Sequence, residues 1–488
     1  MSANLSNSFK RIDKILRTDD GTSTALDYIR QTSWILFLKF IEEIETTNAE
    51  RAELGGKEHT YMLDEKYRWT NWAVPKKEDG SIDHDRKLLG NDLISFVKDD
   101  LFDYLQTLRD RADNHLSMEY KIGEIFSDLE FQIKDGYNLR EIIETVDEMH
   151  FRSSEEQHEL SELYEGHIQQ MGNAGRNGGE YYTPRPLIRA MVEVLDPKAG
   201  EVIYDPACGS GGFLVEAFKY ILDKSDNLST KDMEFLQSKA FIGKEKKGLP
   251  FIIANMHMIF NGIESPNILR GNTLSKNINE IQEKDRVDMI LANPPFGGQE
   301  NDSIQMNFPI KTSASENMFM QYFIKNLKQD GRAAIVIKNT FLTNDDNATQ
   351  AIRQELLTEC NLHTILDMPQ GTFLGAGVKT VVLFFTKGEP TKDIWFYQLN
   401  PGRNLGKTNP LVIKDLEDFL NLREERPETE NSWSLKIKDI DTDNYDLAVN
   451  NPNKVEEVDN RTPSEILAEI EALDNKAAEA MAAIKEML

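Results

Sequence analysis

Cysteine is almost absent from the sequence, because only Cys208 and Cys360 occur in 488 residues. Two cysteines exclude a disulfide framework, so a reducing compartment is the simpler expectation. The eight histidines form no H-x-x-H or H-E-x-x-H group, and we expect no metal site. Long apolar stretches are also missing, since the run from Trp34 to Phe40 falls far short of the ~18 residues that span a membrane. The start of the chain has no signal pattern, so we expect a soluble, cytoplasmic protein with no membrane partner.

Net positive charge is lacking as well. Lys and Arg number 56 and Asp and Glu 83, which gives a formal net charge of −27. A protein that binds nucleic acid unaided usually shows a basic surface, because phosphate contacts supply most of the sequence-independent affinity. The charge is −15 in residues 1–175, −1 in residues 176–410 and −11 in residues 411–488. Composition therefore argues against autonomous nucleic-acid binding, and the acidic ends favour contact with partner chains.

Apolar periodicity divides the chain into three parts, as its length also suggests at ~150 residues per domain. Residues 1–172 are predicted to form a helical domain, in which Trp69 and Trp72 belong to the core or contact another subdomain. Its apolar residues recur three or four apart in segments 26–44, 92–108, 139–149 and 155–171. The glycine-rich stretch 173–179 is a predicted hinge. Residues 173–410 and 411–488 are predicted to be a second domain and an acidic C-terminal segment.

The middle part alternates short β-rich runs with helical ones. The predicted strands are residues 201–205, 241–245, 287–292, 333–338, 362–368 and 381–387. The predicted helices are residues 212–224, 249–259, 316–327 and 349–357. Such alternation predicts an α/β fold with a mainly parallel sheet covered on both faces. Ligands of these folds bind at the carboxyl ends of the strands.

The last segment ends in a helix with a heptad seam. After Thr462-Pro463, apolar residues follow alternating steps of four and three: Ile466, Ile470, Leu473, Ala477, Ala480, Ile484 and Met487. Such a seam must be buried, either on its own domain or against another chain's helix. Its small alanines and terminal position favour a partner chain.

The first chemically informative string runs from Tyr204 to Phe213, after a predicted strand and at the start of a helix. Its sequence is Tyr-Asp-Pro-Ala-Cys-Gly-Ser-Gly-Gly-Phe. Glycines at such a turn let backbone N–H groups approach a ligand. The string lacks the third glycine of a dinucleotide fingerprint and the Gly-Lys-Ser/Thr of a Walker loop. A carboxylate before the turn, Asp205, suits a cationic group such as an amino acid's ammonium. The alternative is a plain strand-to-helix turn.

The second string, Leu-Ala-Asn-Pro-Pro-Phe, ends the predicted strand 287–292 at Phe296. Two prolines fix the last side chain and carbonyl in a rigid geometry. Adenine's amino nitrogen is a poor nucleophile, so its activation requires acceptors aimed at its two hydrogens. The Asn293 amide and the Pro294 carbonyl provide both, and Phe296, which follows Pro295, offers a stacking surface for a base taken out of the duplex. The alternative is an ordinary strand-ending loop.

In this order and spacing, the two strings resemble the methionine-binding and catalytic motifs of S-adenosylmethionine-dependent N6-adenine DNA methyltransferases. The chain is similar, over nearly its whole length, to the modification subunit of type I restriction-modification systems. The stretches 179–186 (Gly-Glu-Tyr-Tyr-Thr-Pro-Arg-Pro) and 444–452 (Asn-Tyr-Asp-Leu to Asn-Pro) resemble that family's first cofactor motif and C-terminal signature. The resemblance implies a Rossmann-like methyltransferase sheet with an N-terminal helical domain and a C-terminal helical tail.

The resemblance also assigns residues. The catalytic set is Asn293, Pro294, Pro295 and Phe296. The residues that bind S-adenosyl-L-methionine are Glu180, Tyr181, Tyr182, Thr183, Pro184, Arg185, Asp205, Gly209, Ser210, Gly211, Gly212, Glu245 and Asn272. Asp205 meets the ammonium group and Glu245 holds the ribose hydroxyls, although neighbouring lysines leave a surface ion pair open for Glu245. Asn272 stands where relatives carry an acidic residue near the cofactor's adenine. Phe373, within Pro-Gln-Gly-Thr-Phe, either helps to hold the substrate base with Phe296 or is a core aromatic.

The implied activity is site-specific methylation of adenine N6, with a flipped base. The chain offers no element suited to reading bases in the major groove, which favours a multi-subunit complex. The expected partners are a specificity subunit that reads DNA, a second copy of this chain, a restriction subunit, and double-stranded DNA reached through the complex. Two alternatives are a protein glutamine-amide methyltransferase, which also uses Asn-Pro-Pro-aromatic, and a catalytically inactive scaffold.

Overall fold

The structure is a computed structural model that describes residues 2–77, 81–114, 117–151, 153–172, 182–225, 227–373, 377–447, 450–453 and 462–487. The predicted hinge and two of the predicted cofactor-binding residues, Glu180 and Tyr181, lie outside these ranges.

Within the described ranges, the first 172 residues form helices and no strand longer than an isolated bridge. Short 3₁₀ and π segments accompany the α-helices. The helices are α1 (Ser2–Thr18), α2 (Ala25–Leu54), α3 (Trp69–Trp72), α4 (Gly90–Phe96), α5 (Phe102–Arg111), α6 (Met118–Asp128), α7 (Gly136–Asp147) and α8 (Ser154–Gly172). A π-helical segment over Val97–Leu101 joins α4 to α5 without a break, so the predicted helix 92–108 is confirmed and contains a π-bulge. Sequence reasoning missed α1, which packs Phe9, Ile12 and Leu16 into the core.

Helix α2 is the centre of this helical part. It begins at a capping box, in which Thr24 and Asp27 satisfy each other's backbone N–H groups. Trp34 is fully buried and meets Phe102 edge to face, with ring centroids 5.2 Å apart. Trp69 and Trp72 are buried as well, and their rings pack against each other, so the prediction that they are core residues is confirmed.

Strands and helices then alternate. The strands are β1 (Ile203–Asp205), β2 (Phe241–Glu245), β3 (Asn267–Arg270), β4 (Val287–Ala292), β5 (Leu327–Lys338), β6 (Cys360–Asp367), β7 (Thr380–Lys387), β8 (Asp393–Gln398) and β9 (Ser432–Lys436). The helices are α9 (Arg185–Leu195), α10 (Gly212–Lys224), α11 (Thr230–Ser238), α12 (Gly248–Phe260), α13 (Asp302–Gln305), α14 (Ser315–Asn326), α15 (Asn347–Glu359), α16 (Glu417–Leu422) and α17 (Pro463–Met487).

All nine strands form one sheet, in the order β3-β2-β1-β4-β5-β7-β6-β8-β9. Strands β7 and β9 run antiparallel to their neighbours, whereas the other adjacent pairs are parallel. The two faces of β4 belong to different apolar clusters, because Met289 and Leu291 pack with one and Ile290 and Ala292 with the other. The prediction of a mainly parallel sheet covered on both faces is therefore confirmed, and β1, β2, β3 and β4 end at the same edge.

The sheet continues past residue 410, the predicted end of the second domain. Strand β9 pairs with β8 along Ser432–Lys436, and Trp433 stacks on Phe396 with the ring planes 5° apart. The acidic composition of residues 411–447 concealed this strand, because polar side chains on its exposed positions interrupt the apolar pattern. Within the described ranges, no helix is long and apolar enough to cross a membrane.

Candidate active site

The glycine turn links β1 to α10. Gly211 has φ 76°, in the left-handed region that glycine adopts without strain, and it precedes the first residue of α10. Gly212 is a close-approach position: a Cβ built there would lie 1.7 Å from Nη1 of Arg185. Glycine at Gly211 therefore suits the backbone conformation, whereas a side chain at Gly212 would displace the guanidinium of Arg185.

Asp205 ends β1 and points into a buried setting. It is 1% exposed, and Oδ1 accepts a hydrogen bond from the backbone N–H of Ala207 at 3.1 Å. Burial raises the pKa of this carboxyl well above its ordinary value, and the nearby Glu245 raises it further. A cation bound beside Asp205 would restore the ionised form, so the position suits an ammonium group.

Glu245 ends the neighbouring strand β2. Its Oε2 accepts from Gly209 N–H at 3.0 Å and its Oε1 from Lys247 N–H at 2.7 Å. Burial raises the pKa of Glu245, and these two backbone hydrogen bonds oppose the shift. With 8% exposure, Glu245 is buried and bonded to the glycine turn through Gly209, which does not fit the alternative of a surface ion-pair residue.

Asn293 follows β4 directly. Its Nδ2 donates to Oγ1 of Thr183 at 2.9 Å, and this contact fixes the orientation of the amide. Its Oδ1 is buried and has no hydrogen-bond partner among the described residues. Buried acceptors without partners are rare because desolvating them is costly. The vacant oxygen therefore suits a ligand that carries an N–H donor.

The aromatic that follows the two prolines meets a second aromatic from a distant loop. Phe296 is half-buried, and its ring lies 5.7 Å from that of Phe373 at an interplanar angle of 84°. Pro294 is buried and Pro295 exposed. Phe373 is 5% exposed, so it is a buried aromatic that also contacts the Asn-Pro-Pro-Phe string. Edge-to-face packing of this kind holds the Phe296 ring in one orientation.

Two cavities open beside these residues. A cavity of about 310 Å³ is lined, among others, by Glu245, Asn272, Asn293, Pro295, Phe296 and Glu300. A narrow cleft of about 20 Å³ is lined by Thr183, Arg185, Ile188, Asp205, Ala207, Cys208, Gly209, Ser210, Gly212, Phe213 and Asn293. Asn293 and Ala207 border both. The structure thus brings together most of the predicted residues that it describes, whereas Tyr182, Pro184, Gly211, Pro294 and Phe373 line neither cavity.

Arg185 and two residues that the sequence analysis did not predict, Glu165 and His257, contact one another beside the narrow cleft. Glu165, on α8, accepts a hydrogen bond from Nε of Arg185. His257, on α12, lies with Nε2 3.7 Å from Glu165 and with Nδ1 2.9 Å from the carbonyl of Ser210. Burial opposes ionisation of Glu165, yet His257 and Arg185 together lower its pKa below its ordinary value. The helical part of the chain therefore contributes a carboxylate to the support of the glycine turn.

Asn272 follows β3. Its Oδ1 accepts from Leu274 N–H at 3.1 Å, and its Nδ2 faces both carboxylate oxygens of Glu300 at 3.5 Å. Glu300 lies in the loop after the Asn-Pro-Pro-Phe string and pairs with Lys246 at 3.3 Å. A carboxylate is thus present beside the position where Asn272 departs from the acidic residue of relatives, but it comes from a different loop.

A glycine turn after β1, a carboxylate at the end of β2 and Asn-Pro-Pro-Phe after β4, on a mainly parallel sheet, define a class of protein: Rossmann-like methyltransferases that act on a planar amino group. Comparison with known proteins identifies the family. The N-6 DNA Methylase family matches residues 155–461, and the HsdM N-terminal domain family matches residues 5–146.

Relatives of full length agree. The Type I restriction enzyme EcoEI methylase subunit of Escherichia coli is 35% identical over 502 residues, covering 99% of this chain and 97% of the relative. The crystal structure of a type I modification subunit from Vibrio vulnificus YJ016 is 35% identical with TM-score 0.81, covering 93% of this chain and 98% of that one. A chain from a structure of a type I restriction-modification system, determined for its complex assembly, is 32% identical with TM-score 0.79 and covers 99% and 98%.

The chain therefore belongs to the N-6 DNA methylase family, among the methylase subunits of type I restriction enzymes. The predicted activity of an adenine-specific DNA methyltransferase is confirmed by this membership.

Proposed function

We propose that the chain methylates adenine N6 with S-adenosylmethionine through the residues predicted from the sequence. The main support is the side-chain amide of Asn293. Its Nδ2 donates a hydrogen bond to Thr183, whereas its buried Oδ1 has no hydrogen-bond partner in the ranges described. An acceptor fixed in this way at the end of β4 is suited to an amino group. It would align the nitrogen and strengthen its hydrogen bond as positive charge develops on that nitrogen.

The substrate base would lie between the catalytic motif and the aromatic pair. Asn293 Oδ1 and the carbonyl of Pro294 would accept the two N–H groups of adenine, and the half-buried face of Phe296 would stack on the ring. Phe373 would hold Phe296 in place. Because these groups are recessed at the sheet edge, the adenine would have to leave the duplex to reach them. In the reaction, the nitrogen gains a methyl group and loses one proton.

The residues at the sheet edge fit an amino acid joined to a nucleoside. Asp205 lacks a cationic partner among the described residues, and Arg185 has a buried Nη2 with no hydrogen-bond partner there, so the narrow cleft offers one group for an ammonium and one for a carboxylate. Glu245, held by two backbone N–H groups, faces the larger cavity and would accept from a ribose diol. S-adenosylmethionine, when bound, supplies an activated methyl group on a sulfonium.

The substitution Asn293→Ala tests the proposal. It removes the acceptor but leaves Asp205, Arg185 and Glu245 unchanged. We therefore expect cofactor affinity within about twofold of wild type and a decrease in turnover of at least about 100-fold. Calorimetric titration with S-adenosylhomocysteine and transfer of labelled methyl groups to DNA by the assembled complex measure the two effects. The exposed Asn344→Ala is the matched control. Normal turnover in Asn293→Ala would rule out the assigned role.

We also propose that the chain acts within a type I complex in the cytoplasm, beside a specificity subunit, a second copy of itself and a restriction subunit. The formal charge of −27 supports delivery to double-stranded DNA by a partner, because the chain lacks the cationic excess that phosphate binding needs. Purification of the chain with its specificity subunit, followed by mass measurement of the complex, tests the proposed composition.

The two alternative functions are less well supported. A glutamine-amide methyltransferase shares the Asn-Pro-Pro-aromatic motif, but the family match covers 155–461 and is to DNA methylases. A methyl-transfer assay that offers duplex DNA and protein separately distinguishes the two. An inactive scaffold has no need of the intact set from Asn293 to Phe296 with its oriented amide.

A further inference from the structure

Glu300 is a carboxylate of the larger cavity that the proposed reaction does not yet use. Its side chain is 13% exposed, and it lines the cavity together with Asn272 and Lys246. Its recorded side-chain contacts are long: 3.5 Å from each oxygen to Asn272 Nδ2, and 3.3 Å to Lys246 Nζ. Distances of 3.5 Å lie at the outer limit for a hydrogen bond. The carboxylate therefore keeps most of its capacity to accept hydrogen bonds from a ligand.

Its backbone is fixed relative to the catalytic motif. Glu300 N–H donates to Ser313 O at 2.9 Å, and its own carbonyl accepts from Nε2 of Gln305 at 2.9 Å. Two residues earlier, Gly298 O accepts from Ser315 N–H at 2.9 Å. The loop that begins directly after Phe296 thus holds Glu300 at the rim of the cavity.

The order of the strands indicates which part of a ligand Glu300 would meet. The sheet edge runs β3, β2, β1, β4, and the groups at these four ends are Asn272 with Glu300, then Glu245, Asp205 and Asn293. The proposed function places the methionine end at Asp205 and the ribose at Glu245. The next group along the edge, away from Asn293, is therefore at the position of the nucleoside's base.

Asn272 is a weaker acceptor for that base than a carboxylate, because its amide oxygen is neutral and one of its two lone pairs is already used. Its Oδ1 is already bonded to Leu274 N–H, and its Nδ2 points to Glu300. An adenine amino group needs acceptors for its two N–H groups, and Asn272 presents donors to the cavity side. The nearby carboxylate of Glu300 has the required chemistry.

We propose that Glu300 determines the preference of the cofactor site for adenine, by accepting hydrogen bonds from its exocyclic amino group. This inference rests on the proposed function. It makes the loop after the catalytic motif part of the cofactor site, so that one loop contributes to both ligands.

Two ligands test it: S-adenosylhomocysteine, and S-inosylhomocysteine, in which a carbonyl oxygen replaces the amino group at C6 and N1 carries a hydrogen. Titration of the full chain by calorimetry should show wild type preferring the adenosyl ligand by about 10- to 100-fold, because a carboxylate accepts from an amino group and repels a carbonyl. In Glu300→Ala the preference should fall to about twofold or less. Glu300→Gln, which presents N–H donors, should shift the preference towards the inosyl ligand.

Lys246→Ala is the matched control, because it removes the ion pair and leaves the carboxylate. It should keep the preference for adenosyl. An unchanged preference in Glu300→Ala, or an equal loss in Lys246→Ala, would overturn the inference while leaving the proposed function intact. Failure of the wild-type chain to bind S-adenosylhomocysteine would instead contradict the proposed function. A thermal melt of each variant verifies that the fold is retained.

Discussion

Asp205 is a residue of the site whose burial disfavours its ionised form in the ligand-free protein. It is buried, its Oδ1 accepts one backbone N–H, and both burial and the neighbouring Glu245 raise its pKa. The native pKa therefore exceeds the unfolded one, so the native state binds more protons, and stability from this group is lost as pH rises through the raised pKa. A ligand ammonium favours the ionised form. We infer that the residue is held ready for a cation at the expense of stability.

Cofactor binding should accordingly release a proton. At pH values below the raised pKa of Asp205, the carboxyl must ionise before it can pair with an ammonium. In this range, affinity should therefore weaken by up to about tenfold for each unit by which the pH is lowered. Calorimetry with S-adenosylhomocysteine in buffers of different ionisation enthalpy measures the release. Affinity that does not change with pH, with no proton released, would contradict the role of Asp205.

The variant Asp205→Asn gives the complementary control. It should bind the ligand about 10- to 100-fold more weakly, because a charge-assisted hydrogen bond is lost. It should lose the Asp205 share of the pH dependence and melt at a higher temperature than wild type, since a buried ionisable group is removed.

The residues of the site could be predicted from the sequence only where they belong to a short local motif. Asp205, Gly211, Gly212 and Asn293 lie in short motifs whose turn geometry and chemistry are legible along the chain. Glu165, His257 and Glu300 meet the site through tertiary contacts, from α8, α12 and the loop after Phe296. Nothing in the spacing of Glu165 within an amphipathic helix distinguishes it from its solvent-facing neighbours. Their contribution to the site arises only from the folded arrangement of the chain.

At the scale of elements, alternation of strands with helices predicted β2 and β4 at their observed bounds and α10 as well. The same rule could not find β8, which follows β7 without an intervening helix, or β9, which pairs antiparallel with β8 in an acidic segment. Strand β3 is the outermost strand on one side of the sheet, and only its Ile268 is fully buried, so its apolar signal is weak. Strands β8 and β9 were missed because they lie outside the regular βαβ repeat, whereas β3 completes a βαβ unit with β2 and α12 and was missed because its apolar signal is weak.

A single buried arginine joins the segment after β9 to α15. Arg353 is 0% exposed and donates to the carbonyls of Phe341, Asn444 and Tyr445 at 2.7, 2.8 and 2.9 Å. Arg353→Met keeps much of the apolar stem but leaves these carbonyls without their donor, which costs roughly 1–3 kcal/mol for each carbonyl that stays unsatisfied. We expect a lower melting temperature and faster hydrogen exchange over residues 441–447. Exchange in that segment equal to wild type would show that Arg353 does not hold it.

The exposed Gln354→Met on the same helix is the matched control for Arg353→Met. It changes the neighbouring side chain to the same residue without touching the three carbonyls, so exchange over residues 441–447 should stay at the wild-type rate. The pair of variants separates loss of the guanidinium from a general effect of methionine on α15.

On the scale of the whole molecule, the terminal helix α17 leaves part of its heptad seam uncovered. Ile470 is 48% exposed and Leu473 59% exposed, and Leu467 beside them is 61% exposed. Apolar side chains exposed in sequence on one helix are typical of a surface that another helix covers. The sequence left a choice between burial on its own domain and burial against a partner. Their exposure favours the partner, which we propose to be the specificity subunit or the second copy.

Specific DNA binding should therefore require the complex. The chain alone should bind a duplex that carries the methylation site no better than a scrambled duplex, because its net charge of −27 opposes phosphate binding and its sequence predicts no element for base reading. Addition of the specificity subunit should create a preference of about 10³-fold or more, measured by fluorescence anisotropy at fixed salt. The double variant Ile470→Asp with Leu473→Asp should prevent that gain while it still binds S-adenosylhomocysteine, since α17 lies outside the cofactor cavities. Discrimination between the two duplexes by the purified chain alone would mean that this chain reads DNA itself, and the acidic surface would then need a different explanation.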